Sequence, residues 1–179
     1  MRQVWTLEQA VQERNRWRMA GIPVVLTNGH FDLLHIGHVE YLEQARALGG
    51  ALVVGINGDG STRRLKGAGR PIVPAIERAR LITALACVDG TIIFDADTAT
   101  ELVTALRPDW YVKGGDYAAD GSDGATGKYW PERELALANG AQVKIIPYRP
   151  DHSTSALIAR IRAIPEHSEP FPKAPDNNS

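Results

Sequence analysis

Cysteine is almost absent from this chain: Cys87 is the only one in 179 residues, so no intrachain disulfide framework can staple the fold. Cys87 lies in an apolar stretch, Leu81 to Val88, and reads as a small buried core side chain. Excess charge of either sign is absent too. Lysine and arginine total 20 against 21 acidic residues, a formal net charge of −1. That balance gives no bulk attraction to nucleic acid or to an anionic membrane, and neither is expected as a partner. Any phosphate the chain binds must be held by local cationic groups. No apolar run approaches the roughly 20 residues that span a bilayer, and the N-terminus carries no signal-peptide core. A cytoplasmic location is therefore expected. A Walker A lysine loop and a Gly-x-Gly-x-x-Gly fingerprint are also missing, which counts against a P-loop kinase and a nicotinamide dehydrogenase. No Cys/His spacing for zinc occurs, since His35 and His38 alone are too few ligands.

What is present suits a single α/β domain. Apolar residues make up 44% and charged residues 23%, and the length is enough for a substantial core. Thr6-Leu7-Glu8-Gln9 reads as a capping box opening a helix that runs to about Met19, with Arg14, Arg16 and Arg18 on a solvated face. Short apolar strands are predicted at Ile22 to Leu26, Ala51 to Ile56, Thr91 to Phe94, Trp110 to Val112 and Gln142 to Ile146. Helices are predicted between them, at Val39 to Leu48, Ala75 to Ala86, up to Leu106 from a second capping box at Thr98-Ala99-Thr100-Glu101, and at Pro131 to Asn139. Asn57 to Ser61 reads as a polar loop, and Ala118 to Lys128 as a polar, glycine-rich one. A last helix to about Ile164 closes a single domain over residues 1–164. The proline-rich remainder, 165–179, is expected to be disordered.

Alternating short strands and helices predict a Rossmann-like parallel five-stranded sheet with helices on both faces. In such sheets ligands bind beyond the carboxyl ends of the strands. Four polar runs follow directly on predicted strands: Thr27 to His38, Asn57 to Arg70, Lys113 to Tyr117, and Pro147 to Ser155. They should converge at one edge. Two of them end where a helix begins. The first amides of a helix lack internal acceptors and carry the positive end of the helix dipole, which makes a ready anion site. In the first run His35 and His38 flank Gly37 at that point, where imidazoles can add hydrogen bonds to phosphate.

The pattern Gly29-x-Phe31-Asp32-x-x-His35-x-Gly37-His38 resembles the signature of the cytidylyltransferase-like nucleotidyltransferases. Further matching blocks are Asn57-x-Asp59-x-Ser61, Leu65-Lys66-Gly67, Arg70-Pro71, Glu77-Arg78, Val112-Lys113-Gly114-Gly115-Asp116-Tyr117 and Ser153-Thr154-Ser155. Within that superfamily the chain is similar, from about Thr6 to Ile164, to the adenylyltransferase domain of ADP-heptose synthesis enzymes. Two features depart from that pattern: His30, where heptose-branch relatives carry cysteine, and the segment from Gly121 to Trp130.

The resemblance implies attack of a sugar 1-phosphate oxygen on the α-phosphorus of ATP, with pyrophosphate leaving. Mg²⁺ would be carried mainly through nucleotide phosphates, with no protein ligand assigned, and a homodimer is implied. On this reading His35, His38, Lys66 and Lys113 are the catalytic candidates. Thr27, Asn28, Gly29, Phe31, Gly37, Gly114, Asp116, Ser153, Thr154 and Ser155 are the candidates for contacts to the nucleotide. Asp32, Asp59 and Arg78 are the candidates for the acceptor substrate. The residues leave some roles open. Asp32 either fixes the turn or positions substrate or metal. Asp59 either meets sugar hydroxyls or forms a local turn. Arg78 either touches substrate or is paired on its helix. An enzyme using CTP and a polyol phosphate such as glycerol 3-phosphate is the alternative chemistry. A nucleotide-binding regulator on the same fold is the non-catalytic one.

Overall fold

The computed structural model describes residues 3–115, 130–147 and 152–165. Strands β1 (Gln3–Trp5), β2 (Val24–Gly29), β3 (Ala51–Asn57), β4 (Gly90–Phe94), β5 (Trp110–Gly114) and β6 (Gln142–Ile146) form one sheet. Every pairing in it is parallel, in the order β1-β4-β3-β2-β5-β6. The expected five-stranded sheet is thus corrected to six. Gln3–Trp5 adds an edge strand against β4 before the first helix begins.

Helices α1 (Leu7–Met19), α2 (Ile36–Arg46), α3 (Asp59–Lys66), α4 (Ala75–Thr83), α5 (Thr100–Leu106), α6 (Pro131–Ala138) and α7 (Thr154–Arg162) complete the fold. Successive strand residues point to opposite faces, and the two central strands show it. Val24 and Leu26 of β2, with Ala51 and Val53 of β3, join a core that includes Ala10 of α1, Leu102 and Leu106 of α5, and Ala136 of α6. Val25, Leu52, Val54 and Ile56 face the other way, onto Leu42 and Ala45 of α2 and Ala79 and Ile82 of α4. Burial on both faces is why these strands read as continuous apolar runs rather than alternating ones.

The chain moves outward from β2 through β3 to β4, then returns to place β5 on the other side of β2. The order reverses between β2 and β5, and a crevice opens at the carboxyl ends of such a pair. The strands here run further into the polar motifs than their apolar residues alone predict. Thr27 to Gly29 and Lys113 to Gly114 lie within β2 and β5. These residues are therefore held by the rigid sheet.

Local expectations fare unevenly. The first capping box forms as expected: Gln9 N donates to Thr6 Oγ1 at 3.2 Å, and Thr6 N donates to Gln9 Oε1 at 2.9 Å. The second does not. α5 has Ala99 at its N-cap without a side-chain cap, and the Ala99 amide donates instead to Glu132 Oε1 of α6 at 2.8 Å. The expected polar loop after Asn57 is the first turn of α3. Arg14 is not on a solvated face. It is buried and donates to Arg107 O at 3.0 Å, completing the end of α5, whereas Arg16 and Arg18 are exposed. Cys87 is half-buried against the α2/α4 core. Among the described residues no helix is long and apolar enough to cross a membrane. Of the expected tail, residues 165–179, all but Pro165 lie outside the described residues.

Candidate active site

The turn after β2 is built around a buried carboxylate. Asp32 is 4% exposed. Its Oδ2 accepts from Arg70 Nη1 at 2.8 Å and Ile72 N at 2.9 Å, and its Oδ1 accepts from Val73 N at 3.0 Å. Both oxygens are therefore spent on tying segment 70–73 to this turn. That geometry favours the turn-fixing role over contact with a substrate or metal. On either side of Asp32, Phe31 (φ 47°) and Leu33 (φ 52°) adopt left-handed backbone. L-residues with side chains pay for that conformation, and it tends to occur where a binding site over-determines the chain. Phe31 then lies over Gly29, where a Cβ would come within 3.0 Å of the Phe31 ring.

α2 begins three residues earlier than expected, with His35 at the N-cap and no side-chain cap. His38 therefore sits in the first turn, and the His35 and His38 rings stack with centroids 3.8 Å apart and planes 20° from parallel. Phe31 packs on His38 as well, tilted by 57° at a centroid distance of 5.2 Å. Gly37 is required by a close approach: a Cβ there would lie 3.1 Å from His152 O and 3.2 Å from His152 Cβ. His152 leads into α7, whose N-cap Ser153 accepts from Ala156 N at 3.1 Å. Thr154 Oγ1 donates to Asp32 O at 2.7 Å. The N-terminus of α7 is thereby fastened to the turn before α2, and both helix N-termini open on one cavity.

That cavity has a volume of about 790 Å³. Its walls come from the carboxyl ends of β2, β3 and β5 and from 152–155 at the start of α7, so all four polar runs contribute. Ser153, Thr154 and Ser155 lie on it beside His35, Gly37 and His38. Asn28, Gly29, Phe31 and Asp32 form its floor near β2, and Gly114 lines the β5 side. Lys113 reaches across to Asn28, whose Oδ1 accepts from Lys113 Nζ at 3.1 Å and from Tyr111 Oη at 2.6 Å. Lys66 stands on another wall, at the exposed basic end of α3. Gly67 follows with φ 90°, a value that lets the chain turn sharply away from the helix.

Three of the predicted site residues are not among those lining this cavity. Thr27 is fully buried, its hydroxyl hydrogen-bonded to Tyr41 Oη at 2.5 Å. The carboxylate of Asp59 accepts from Ala75 N at 2.8 Å and from Arg78 Nη2 at 2.9 Å. Arg78 is 1% exposed and donates to Val73 O, His30 O, Asn57 O and Asp59. A buried guanidinium that meets four protein acceptors braces the site from behind. For Asp59 and Arg78 this geometry favours the local alternatives, a turn-holding carboxylate and a paired arginine, and it sets the Thr27 hydroxyl behind the cavity wall rather than on phosphate. Asp116 and the 118–129 loop lie outside the described residues.

The cavity also holds residues the sequence did not single out: His152, Thr62 of α3, and Glu132 at the start of α6. His152 was legible in principle, as an imidazole directly before a Ser-Thr-Ser helix cap. Nothing local marks Glu132.

His30, His35 and His38 are shifted toward the neutral form. Burial lowers the His38 pKa to about 4, aided by neighbouring His35 and opposed by Asp32. Burial likewise lowers His30 to about 4, aided by Lys66, Arg78 and Lys113 and opposed by Asp32. His35 is lowered by burial and by His152. Unfolding frees these rings to bind protons near pH 6.5, so between pH 6.5 and 4 the unfolded chain carries more protons than the folded one. Stability is therefore fully present above about pH 6.5 and falls as the pH drops toward 4. His30 and His38 together set a limiting slope of about 2.7 kcal/mol per pH unit, at two protons. Urea unfolding at pH 7 and pH 5 should show the lower midpoint at pH 5. A His30→Asn chain should show a smaller difference, and equal midpoints for the wild type would refute the assignment.

Among the described residues no group of three or more His, Cys, Asp or Glu side chains is placed to hold a metal ion. The residues present fit a divalent cation only if substrate oxygens supply most of its ligands.

The cytidylyltransferase-like family profile matches residues 26–160. The bifunctional protein HldE of Koribacter versatilis is 50% identical over 145 residues, 81% of this chain and 28% of that protein. The bifunctional protein HldE of Hyphomonas neptunium is 45% identical over 154 residues, 86% of this chain and 30% of that protein. The chain thus spans under a third of the length of these relatives. The crystal structure of the lipopolysaccharide core biosynthesis protein from Thermoplasma volcanium GSS1 matches with a TM-score of 0.56 at 30% identity, over 72% of this chain and 98% of that one. A pantoate-beta-alanine ligase from Francisella tularensis shares the fold at 10% identity, with a TM-score of 0.56 over 87% of this chain and 69% of its own. By profile, sequence and fold together, the chain belongs to the cytidylyltransferase-like family and is a nucleotidyltransferase.

Proposed function

We propose that this nucleotidyltransferase moves AMP from ATP to the phosphate of a sugar 1-phosphate, D-glycero-β-D-manno-heptose 1-phosphate in the first instance, releasing pyrophosphate and forming an ADP-sugar. One observation carries the anion chemistry: two helix N-termini, α2 and α7, are fastened to each other across Asp32 and Thr154 and open on the same cavity. The choice of acceptor is supported by the HldE relatives and by the lipopolysaccharide-biosynthesis neighbour.

The attacking phosphate monoester is already a competent nucleophile, so the chain needs no strong base. Its task is to hold two anions in line and to meet the charge that grows on the α-phosphoryl oxygens and the leaving pyrophosphate. On this reading the stacked imidazoles donate N–H hydrogen bonds at the α2 end. Ser153, Ser155 and the first amides of α7 take the β- and γ-phosphates. Lys113, steered by Asn28, and Lys66, at the end of α3, close on phosphate from two sides. Mg²⁺, carried by the phosphate oxygens, would add positive charge to the same group.

The test is pyrophosphate release with Mg²⁺ across ATP, CTP, GTP and UTP, each paired with heptose 1-phosphate, other sugar 1-phosphates and glycerol 3-phosphate. Release confined to ATP with heptose 1-phosphate is expected. Release with CTP and glycerol 3-phosphate would keep the mechanism and replace both substrates. Silence throughout, with nucleotide still bound in calorimetry, would favour a regulator.

A further inference from the structure

His30 is the residue the mechanism above leaves unused. It follows β2 directly, lines the cavity, and is half-buried. Its Nδ1 is 3.0 Å from Thr62 Oγ1. Thr62 is itself buried, and its hydroxyl donates to Asn57 O. A hydroxyl has one proton. Thr62 Oγ1 can only donate to Asn57 O, 3.4 Å away; when its proton is directed there, its lone pair faces the imidazole, and Nδ1 carries the ring proton. Nε2 is then the bare nitrogen, and it has no partner among the described residues. A neutral ring stays neutral here because burial disfavours its charged form, and Lys66, Arg78 and Lys113 add to that effect.

We infer that His30 Nε2 is a hydrogen-bond acceptor for a hydroxyl of the phosphorylated acceptor, and that it selects hydroxyl-bearing phosphates. The chemistry follows from what surrounds it. A bare nitrogen repels phosphate oxygens, which the neighbouring lysines attract. Phosphate therefore settles against Lys66 and Lys113, and the space beside His30 is left for a donor. A sugar or polyol hydroxyl close to the phosphate ester fits that space. The assignment rests on the proposed reading of the cavity, and names within it a specificity-determining residue.

Two conservative variants separate the ring's two nitrogens. The amide nitrogen of asparagine stands near the place of Nδ1, so His30→Asn keeps a donor for Thr62 and removes the Nε2 acceptor. The glutamine carbonyl reaches about as far as Nε2, so His30→Gln restores an acceptor. Calorimetry on the full chain would compare heptose 1-phosphate, mannose 1-phosphate and glycerol 3-phosphate with inorganic phosphate. Wild type should bind at least one hydroxyl-bearing phosphate at least tenfold more tightly than inorganic phosphate. His30→Asn should lose most of that preference while binding inorganic phosphate within about twofold of wild type, and His30→Gln should recover part of it. The ¹⁵N spectrum of the wild-type imidazole should show Nδ1 protonated and Nε2 bare at pH 7.

No preference in wild type, an equal loss for inorganic phosphate in His30→Asn, or a protonated Nε2 would each overturn the assignment. The ribose of the nucleotide is the other source of hydroxyls. If His30→Asn weakens ATP but not 3′-deoxy-ATP, and leaves the sugar phosphates alone, the acceptor assignment is overturned in favour of ribose. A chain that retains the selectivity yet releases no pyrophosphate with any pair would sink the proposed reaction alone.

Discussion

Replacing His38 by alanine should lower kcat/KM by about 10²–10³-fold, the effect of removing one preorganised donor to transition-state charge. The fold should survive. His38 lies in the first turn of α2, at the rim of a cavity, and the core residues Leu42 and Ala45 of that helix are untouched. His35→Ala should behave alike, because the two rings stack at 3.8 Å and each fixes the other's orientation. For the same reason the double variant should lose little more than either single one, as groups acting as a unit are not additive. Steady-state kinetics with the substrates found by pyrophosphate release would decide it, with circular dichroism as the control for folding. Turnover surviving both replacements would refute the mechanism. The neutral state of the rings adds a further expectation. The triphosphate favours the charged form of each imidazole, so nucleotide binding below pH 6 should take up protons, readable as a buffer-dependent heat.

The parts of this site legible in the sequence are those whose signals are local. A strand, a turn with glycine at the point of close approach, and a following helix are written within Val24 to Arg46, although the helix opens at His35 rather than at Val39, and the other polar runs follow their strands in the same way. What was illegible depends on partners far along the chain. The start of α3 reads as a loop because Gly58, Asp59 and Gly60 are poor helix formers. Its N-terminus is held by Asp95, whose carboxylate accepts from Ser61 N at 2.9 Å and is kept below the usual carboxylate range chiefly by that bond. The Ala99 amide, likewise, is met by Glu132 rather than by its own threonines. Gln3–Trp5 is too short to declare itself a strand, and only β4 makes it one. Thr27 shows the opposite hazard. Its place in the motif is plain, yet strand alternation turns its hydroxyl inward to Tyr41.

Arg78 is the clearest case of a motif residue whose role is structural, and its loss should cost the most stability. Nε donates to Val73 O at 2.8 Å, Nη2 to Asn57 O at 2.8 Å and to Asp59 at 2.9 Å, and Nη1 to His30 O. One planar group thus joins the end of β2, the end of β3, the start of α3 and the segment entering α4. Arg78→Ala leaves three backbone carbonyls without this donor, together with the partner carboxylate of an ion pair whose guanidinium is wholly buried. Asp59, 37% exposed, regains water, but the carbonyls left unsatisfied cost about 1–3 kcal/mol each, so about 3–5 kcal/mol in all is expected. Urea unfolding at pH 7 should show a loss of that order, and a loss under about 1 kcal/mol would refute the brace. Arg78→Lys should not rescue it. A compact ammonium cannot reach acceptors spread around a guanidinium fork, so most of the loss should remain. Because the bonds to His30 O and Asn57 O set the ends of β2 and β3, variants that still fold should also show a raised KM for the acceptor, although Arg78 is not among the residues lining the cavity.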